Sequence, residues 1–252
     1  MIMYEYYKSP PTASVQKKLR KQLKLIYEAI PETSGCMENI SKDGGCGAWC
    51  CEEQSPSVMY TEFLNTMNAI EHTWKENNII ALVERCVIAY FNNNPTKGCV
   101  FWNAENNQCL QHSSRPFNCR VYGQTPDEEF KPRYDRLRVL YAHVPNATIR
   151  EQCNLVKTVG KTPTVDDTAA WFNDLRMSEM DSGIRREDIH GNQGGSYLTY
   201  HDHILLRLCT KTLMEEMTEL KLGGDKDKQE RFIRRLIAGI RNKDAARRPS
   251  RS

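Results

Sequence analysis

Eight of the ten cysteines in this 252-residue chain fall between Cys36 and Cys119, and Cys153 and Cys209 follow singly. No other feature constrains the fold as much. Thiols brought together lose hydration, and as thiolates they repel one another, so a natural gathering of them usually has a cation at its centre. Ten cysteines are about 4% of the chain, below the density of a disulfide scaffold. The opening Met1-Ile2-Met3-Tyr4-Glu5-Tyr6-Tyr7 puts an acid where a secretory signal carries its apolar run. No stretch reaches the roughly 18 apolar residues needed to span a bilayer. A reducing, cytoplasmic compartment is therefore expected, where clustered cysteines bind metal or react. A formal net charge of +3 is too small to make nucleic acid or a membrane surface the default partner.

The remaining sequence reads as helices. Leu19, Leu23, Ile26 and Ile30 recur at helical spacing behind Pro10-Pro11 and a capping Ser14, and Pro31 ends the run. A second helix is expected to start at Pro56 behind Ser55, with Met59, Phe63, Met67, Ile70 and Trp74 on one face. A third is expected over 78–91, apolar almost all round, with Cys86 inside it and Asn92-Asn93-Asn94-Pro95 stopping it. The chain is loop-like to about residue 125, and further helices are expected at 127–142, 164–180, 198–220 and 226–242. The expected fold class is mostly α, with helices around an irregular cysteine-rich metal-binding segment and a C-terminal helical extension. As domains this reads as an N-terminal helix in 1–34, a cysteine-cluster domain in 35–160 and a helical extension with a basic tail in 161–252.

The cysteines form two groups. Cys36 precedes Gly45-Cys46-Gly47-Ala48-Trp49-Cys50-Cys51; Cys99, Cys109 and Cys119 follow at even intervals, and Cys153 comes later. Structural zinc sites show pairs spaced by two to four residues, and no Cys-x-x-Cys occurs here. Adjacent thiolates such as Cys50 and Cys51 reach one zinc with difficulty but can point to different irons. All-thiolate coordination suits zinc as well as iron–sulfur clusters, and the spacings lean towards iron–sulfur.

The segment Cys109-x5-Arg115-Pro116-x2-Cys119-Arg120 resembles the Cys-x-x-Tyr-x-x-Arg-Pro-x-x-Cys-Arg element of the YkgJ-like cysteine-cluster family, called CxxCxxCC and regarded as zinc- or iron-chelating. Cys99 before Val100-Phe101-Trp102 is similar to the upstream cysteine of that family, Cys50-Cys51 to its terminal pair, and Cys153-Asn154 to a final Cys-Asn. The leading Cys-x-x-Cys-x-x-Cys-Cys reads here as Cys36-x9-Cys46-x3-Cys50-Cys51, and His112 stands in place of the tyrosine. The resemblance covers roughly residues 36–155. It implies metal ligation by Cys36, Cys46, Cys50, Cys51, Cys99, Cys109, Cys119 and Cys153, a set that would serve two 4Fe–4S clusters or two zincs with four thiolates apiece. Cys86 and Cys209 are left over in apolar helical patterns and read as buried core thiols. A cluster with net negative charge needs cations or donors nearby. Lys97, Arg115, Arg120 and Arg150 are candidates, and Arg115 and Arg120 are expected to be the cofactor-binding residues.

Other motifs are weaker. His201 and His203 open an apolar helix at i and i+2, which points to an N-terminal-turn surface role rather than ligation. His112, between two expected ligands, is a candidate ligand or proton donor. Gly191-Asn192-Gln193-Gly194-Gly195-Ser196 is a glycine cluster that alone says little about phosphate binding. A radical-SAM reading fails, because its third cysteine would fall at Glu53. The basic tail from Lys226 reads as a solvated amphipathic helix rather than a nucleic-acid contact. The functional expectation is an iron–sulfur protein with one or two 4Fe–4S clusters, active in electron transfer or as an iron–sulfur-dependent oxidoreductase, with a redox partner or small-molecule substrate. The alternatives are a zinc-stabilised interaction module and a metal carrier.

Overall fold

The computed structural model describes residues 11–34, 50–51, 55–92, 98–105, 108–143, 153, 156–184 and 198–247. The described chain is mostly α, as expected, with short two-residue strands between helices. Helix α1 spans Ala13–Ala29, and its N-cap is Thr12 rather than Ser14, because the Thr12 hydroxyl accepts the Val15 N–H. It ends at Ile30, which is extended, as a residue before proline prefers. Strand β1, Thr33–Ser34, then pairs with β4, Lys157–Thr158.

Helix α2 spans Tyr60–Thr73 and so begins later than Pro56. Residues 55–59 are used differently: Ser57 bridges Thr199, and the Val58 N–H donates to the Leu198 carbonyl at 2.8 Å. Glu62, at the third helical position, reaches back to the Met59 N–H and starts the helix there. Helix α3 spans Glu76–Phe91 and buries Leu82, Cys86, Val87 and Phe91. After the cysteine segment come α4, Phe117–Val121; α5, Asp127–Tyr141; and α6, Val165–Asp181, opened by a Thr164–Asp167 capping box.

The helix expected over 198–220 is two helices, α7, Tyr200–Leu208, and α8, Lys211–Gly223. Cys209 is extended, and the Thr210 side chain caps the new helix by accepting the Leu213 N–H. Helix α9 spans Lys226–Arg247.

Packing follows the apolar stripes. Helix α3 lies against α7 and α9, and α1 lies against α2 and α6. The larger core joins Phe63, Ile70, Leu82, Phe101, Tyr200, Leu205, Met217 and Phe232. A smaller one joins Leu23, Ile30, Met59, Phe117 and Leu175. Cys51 and Cys99 belong to the larger core, so the cysteine segment is packed into the body of the molecule. Among the described residues no helix is long and apolar enough to cross a membrane.

Candidate metal centre

A small hairpin organises the second cysteine group. Strands β2, Trp102–Asn103, and β3, Gln108–Cys109, pair with Trp102 opposite Cys109, and the Leu110 N–H donates to the Phe101 carbonyl at 2.9 Å. Cys99 enters the hairpin and Cys109 leaves it, which folds out the long interval between them. The Cys99 N–H donates to the Cys51 carbonyl at 2.7 Å and pins the first group to the second. Beyond Cys109 a 3-10 turn, His112–Ser114, is held by Thr66, whose hydroxyl donates to the Ser114 carbonyl at 3.1 Å. Pro116 then starts α4, which carries Cys119.

Five thiols are thereby brought into one neighbourhood. Cys51 is hydrogen-bonded to Cys109 and Cys50 and feels Cys99. Cys119 is perturbed by Cys99, Cys50 and Cys109. Burial pushes the Cys99 thiol up to about 12, with neighbouring Cys109 adding to the rise. Cys119 is likewise pushed well up by burial. In the Cys51–Cys109 pair the Cys109 sulfur is the one favoured as thiolate, first because Cys51 hydrogen-bonds to it. The Gln111 N–H donates to the Cys109 sulfur and the Phe101 N–H to the Cys99 sulfur. Both donors lie two residues after the thiol they serve. Backbone donors of this kind stabilise thiolates bound to metal. The buried Trp102 indole N–H has no acceptor among the described residues, which suits a nearby cluster or thiolate sulfur. The donor set therefore fits a soft, thiophilic metal centre. Among the described residues no three His, Cys, Asp or Glu side chains form a ready-made ligand cage.

The other expected ligands fall elsewhere. Cys36 and Cys46 lie outside the described residues, as do Lys97, Arg150 and the 191–196 glycine segment. Cys153 is half-buried beside the Gly123 turn, and the largest perturbations of the five thiols come from groups other than Cys153. None of the eight described cysteines is in a disulfide, and Cys86 and Cys209 are buried in the larger core as expected.

Cations flank the thiols. Arg115 lowers both Cys109 and Cys119, and one of its Nη groups donates to His112 Nε2 at 2.7 Å. A guanidinium can only donate, so Nε2 is the acceptor and the ring is neutral. Burial and the two arginines hold His112 down to about 4. With Nε2 occupied by Arg115, that nitrogen is not available to a metal in this arrangement. Arg120 clasps the loop instead, donating to the Arg115 carbonyl at 2.9 Å and the Ser113 carbonyl at 3.0 Å while lying 4.0 Å over the Tyr27 ring.

Several contributors have no signature in the sequence motifs. Arg85 donates to the Val100 carbonyl at 2.8 Å and favours the Cys99 thiolate. Glu62 is fully buried and accepts from the Tyr27 hydroxyl, the Phe117 N–H and the Met59 N–H, tying α1, α2 and α4 together. An acid inside the apolar run Met59–Phe63–Met67 was the available signal. The histidines of α7 are a correction: His201 and His203 are not on the surface but 1% and 0% exposed. The His201 ring is hydrogen-bonded to the Thr199 hydroxyl at 2.8 Å, and His203 pairs with the Val58 carbonyl and stacks on Phe63. His203 joins α7 to the 55–59 segment.

No curated protein and no solved structure matches the chain. A family model does match, over residues 42–139, and its description is "putative zinc- or iron-chelating domain". Those residues contain Cys46, the Cys50–Cys51 pair, the hairpin and the Arg-Pro-x-x-Cys-Arg turn. Over residues 42–139 this chain is similar to the CxxCxxCC family of zinc- or iron-chelating domains.

Proposed function

We propose that this chain is an iron–sulfur protein, in which Cys50, Cys51, Cys99, Cys109 and Cys119, together with Cys36, Cys46 and Cys153, hold one or two 4Fe–4S clusters. The observation that carries this reading is the gathering of five thiols in one neighbourhood, because one tetrahedral zinc takes four ligands. The fifth belongs to a second centre, as two 4Fe–4S clusters of four thiolates each allow. The largely apolar surroundings, with Phe101 buried and Trp102 half-buried, would lower local polarity and tune a reduction potential. When bound, the cluster would supply one-electron transfer or, at an iron lacking a fourth cysteine, a Lewis-acid position. The chain's own residues hold the thiols in register, supply N–H donors to sulfur and place Arg115 and Arg85 against the negative charge.

Zinc is named beside iron in the family description, and two zincs with four thiolates each would use the same eight cysteines. The two readings separate on reduction. Anaerobically purified protein treated with dithionite is expected to bleach reversibly and to give an EPR signal, and C109S is expected to lose both. A colourless protein with bound zinc and no redox transition overturns the proposal in favour of a zinc-stabilised module.

A further inference from the structure

A cleft of about 800 Å³ lies between α1, β1, α2 and the Arg-Pro turn. Its volume is within the range of small-molecule sites. Four cationic side chains line it, Arg20, Lys24, Arg115 and Arg120, against two acidic ones, Glu28 and Glu32. Lys24 and Glu28 engage each other at 3.6 Å. Arg20 is half-buried yet has no ion-pair or hydrogen-bond partner among the described residues, and the Asn65 amide, also half-buried at the cleft, has none either. Holding a guanidinium partly out of water without a counter-ion is unfavourable, and an anion in the cleft relieves it. Arg120 is fixed by two loop carbonyls and the Tyr27 ring. A guanidinium has five N–H donors, so these contacts leave donors over.

We propose that this cleft binds a small organic oxyanion, a carboxylate- or phosphate-bearing molecule, whose charged group is taken by Arg20 and Arg120 with Asn65 as a further hydrogen-bond donor. Paired guanidinium donors match the oxygens of either group. Glu28 and Glu32 at the same cleft disfavour a polyanion such as a nucleic-acid backbone. Arg115 borders the cleft and also favours the Cys109 and Cys119 thiolates, so the ligand lies next to the metal centre whichever metal that centre holds.

The test is calorimetric titration of the full chain, as purified with its metal, with sodium phosphate and separately with sodium citrate, at ionic strength matched by sodium chloride. Saturable one-to-one binding of at least one probe is expected. It should weaken about 10- to 100-fold in R20A, the loss of a charge-assisted hydrogen-bond partner, and about 3- to 10-fold in N65A. Metal content and circular dichroism should be unchanged in both, since neither residue pairs with a thiol among the described residues. Phosphate binding alone assigns a phosphate ligand, and citrate binding alone a carboxylate. If neither probe binds above the chloride control, or if well-folded R20A and N65A both bind like the parent, the proposal is wrong.

Discussion

Glu62 is the residue whose removal should be felt most widely. Its carboxylate, 2% exposed, accepts from the Tyr27 hydroxyl at 2.5 Å, the Phe117 N–H at 2.5 Å and the Met59 N–H at 2.9 Å. E62A leaves three donors without their acceptor. Each buried unsatisfied donor costs about 1–3 kcal/mol, and water entering the vacated volume recovers part of that. The expected net loss is about 3–5 kcal/mol, a fall in Tm of roughly 10 °C for a chain of this size. E62Q keeps the shape but turns an amide donor towards a donor, either the Met59 N–H or the pair from Tyr27 and Phe117. Its expected cost is about 2 kcal/mol. Because the Phe117 N–H starts the helix that carries Cys119, metal occupancy should fall in E62A alongside stability. Urea unfolding followed by circular dichroism, with metal analysis of each variant, measures both. E62A within 1 kcal/mol of the parent, with full metal occupancy, refutes the reasoning that this carboxylate joins α1, α2 and α4.

Glu179 accepts from the Thr61 N–H at 2.6 Å, and burial lifts it to about 7 from a usual value of 4.5. A raised folded value means its contribution is complete below about pH 4.5 and is lost as pH rises through 7. Stability should therefore drop by on the order of 3 kcal/mol across that window, and E179Q should flatten the slope in pH-dependent urea melts. Gly123 has φ +83°, and a Cβ there would meet the Val156 Cβ at 2.9 Å and the Cys153 carbonyl at 3.3 Å. G123A should cost about 2–3 kcal/mol in thermal unfolding. C86A and C209A should each cost about 1 kcal/mol and leave metal content unchanged, whereas C99S and C109S should lower it in elemental analysis.

The parts of the fold legible in the sequence were those set by periodicity. Leu19 and Leu23 do face the core from α1, and Cys86 is buried within α3. Boundaries set by single side chains were not legible. Thr12 competes with Ser14 for the cap of α1, Glu62 moves the start of α2 to Tyr60, and Thr210 breaks a continuous apolar pattern into α7 and α8. At the centre, spacing alone left Cys99 and Cys109 far apart, because a hairpin consumes the residues between them. Arg115 stood out beside Pro116, but its contact with His112 Nε2, which fixes that ring as a neutral acceptor, depends on the 3-10 turn. His201 and His203 looked exposed because local helix geometry cannot reveal that the 55–59 segment covers the start of α7.

The iron–sulfur assignment is tested most directly by a count of iron, zinc and acid-labile sulfide per chain in the anaerobically purified protein, with Mössbauer spectra of the iron-57-labelled material. An iron–sulfur protein is expected to give about four irons and four sulfides per cluster, for one or two clusters, with spectra of tetrahedral thiolate- and sulfide-ligated iron. Stoichiometric zinc without iron or sulfide contradicts the assignment.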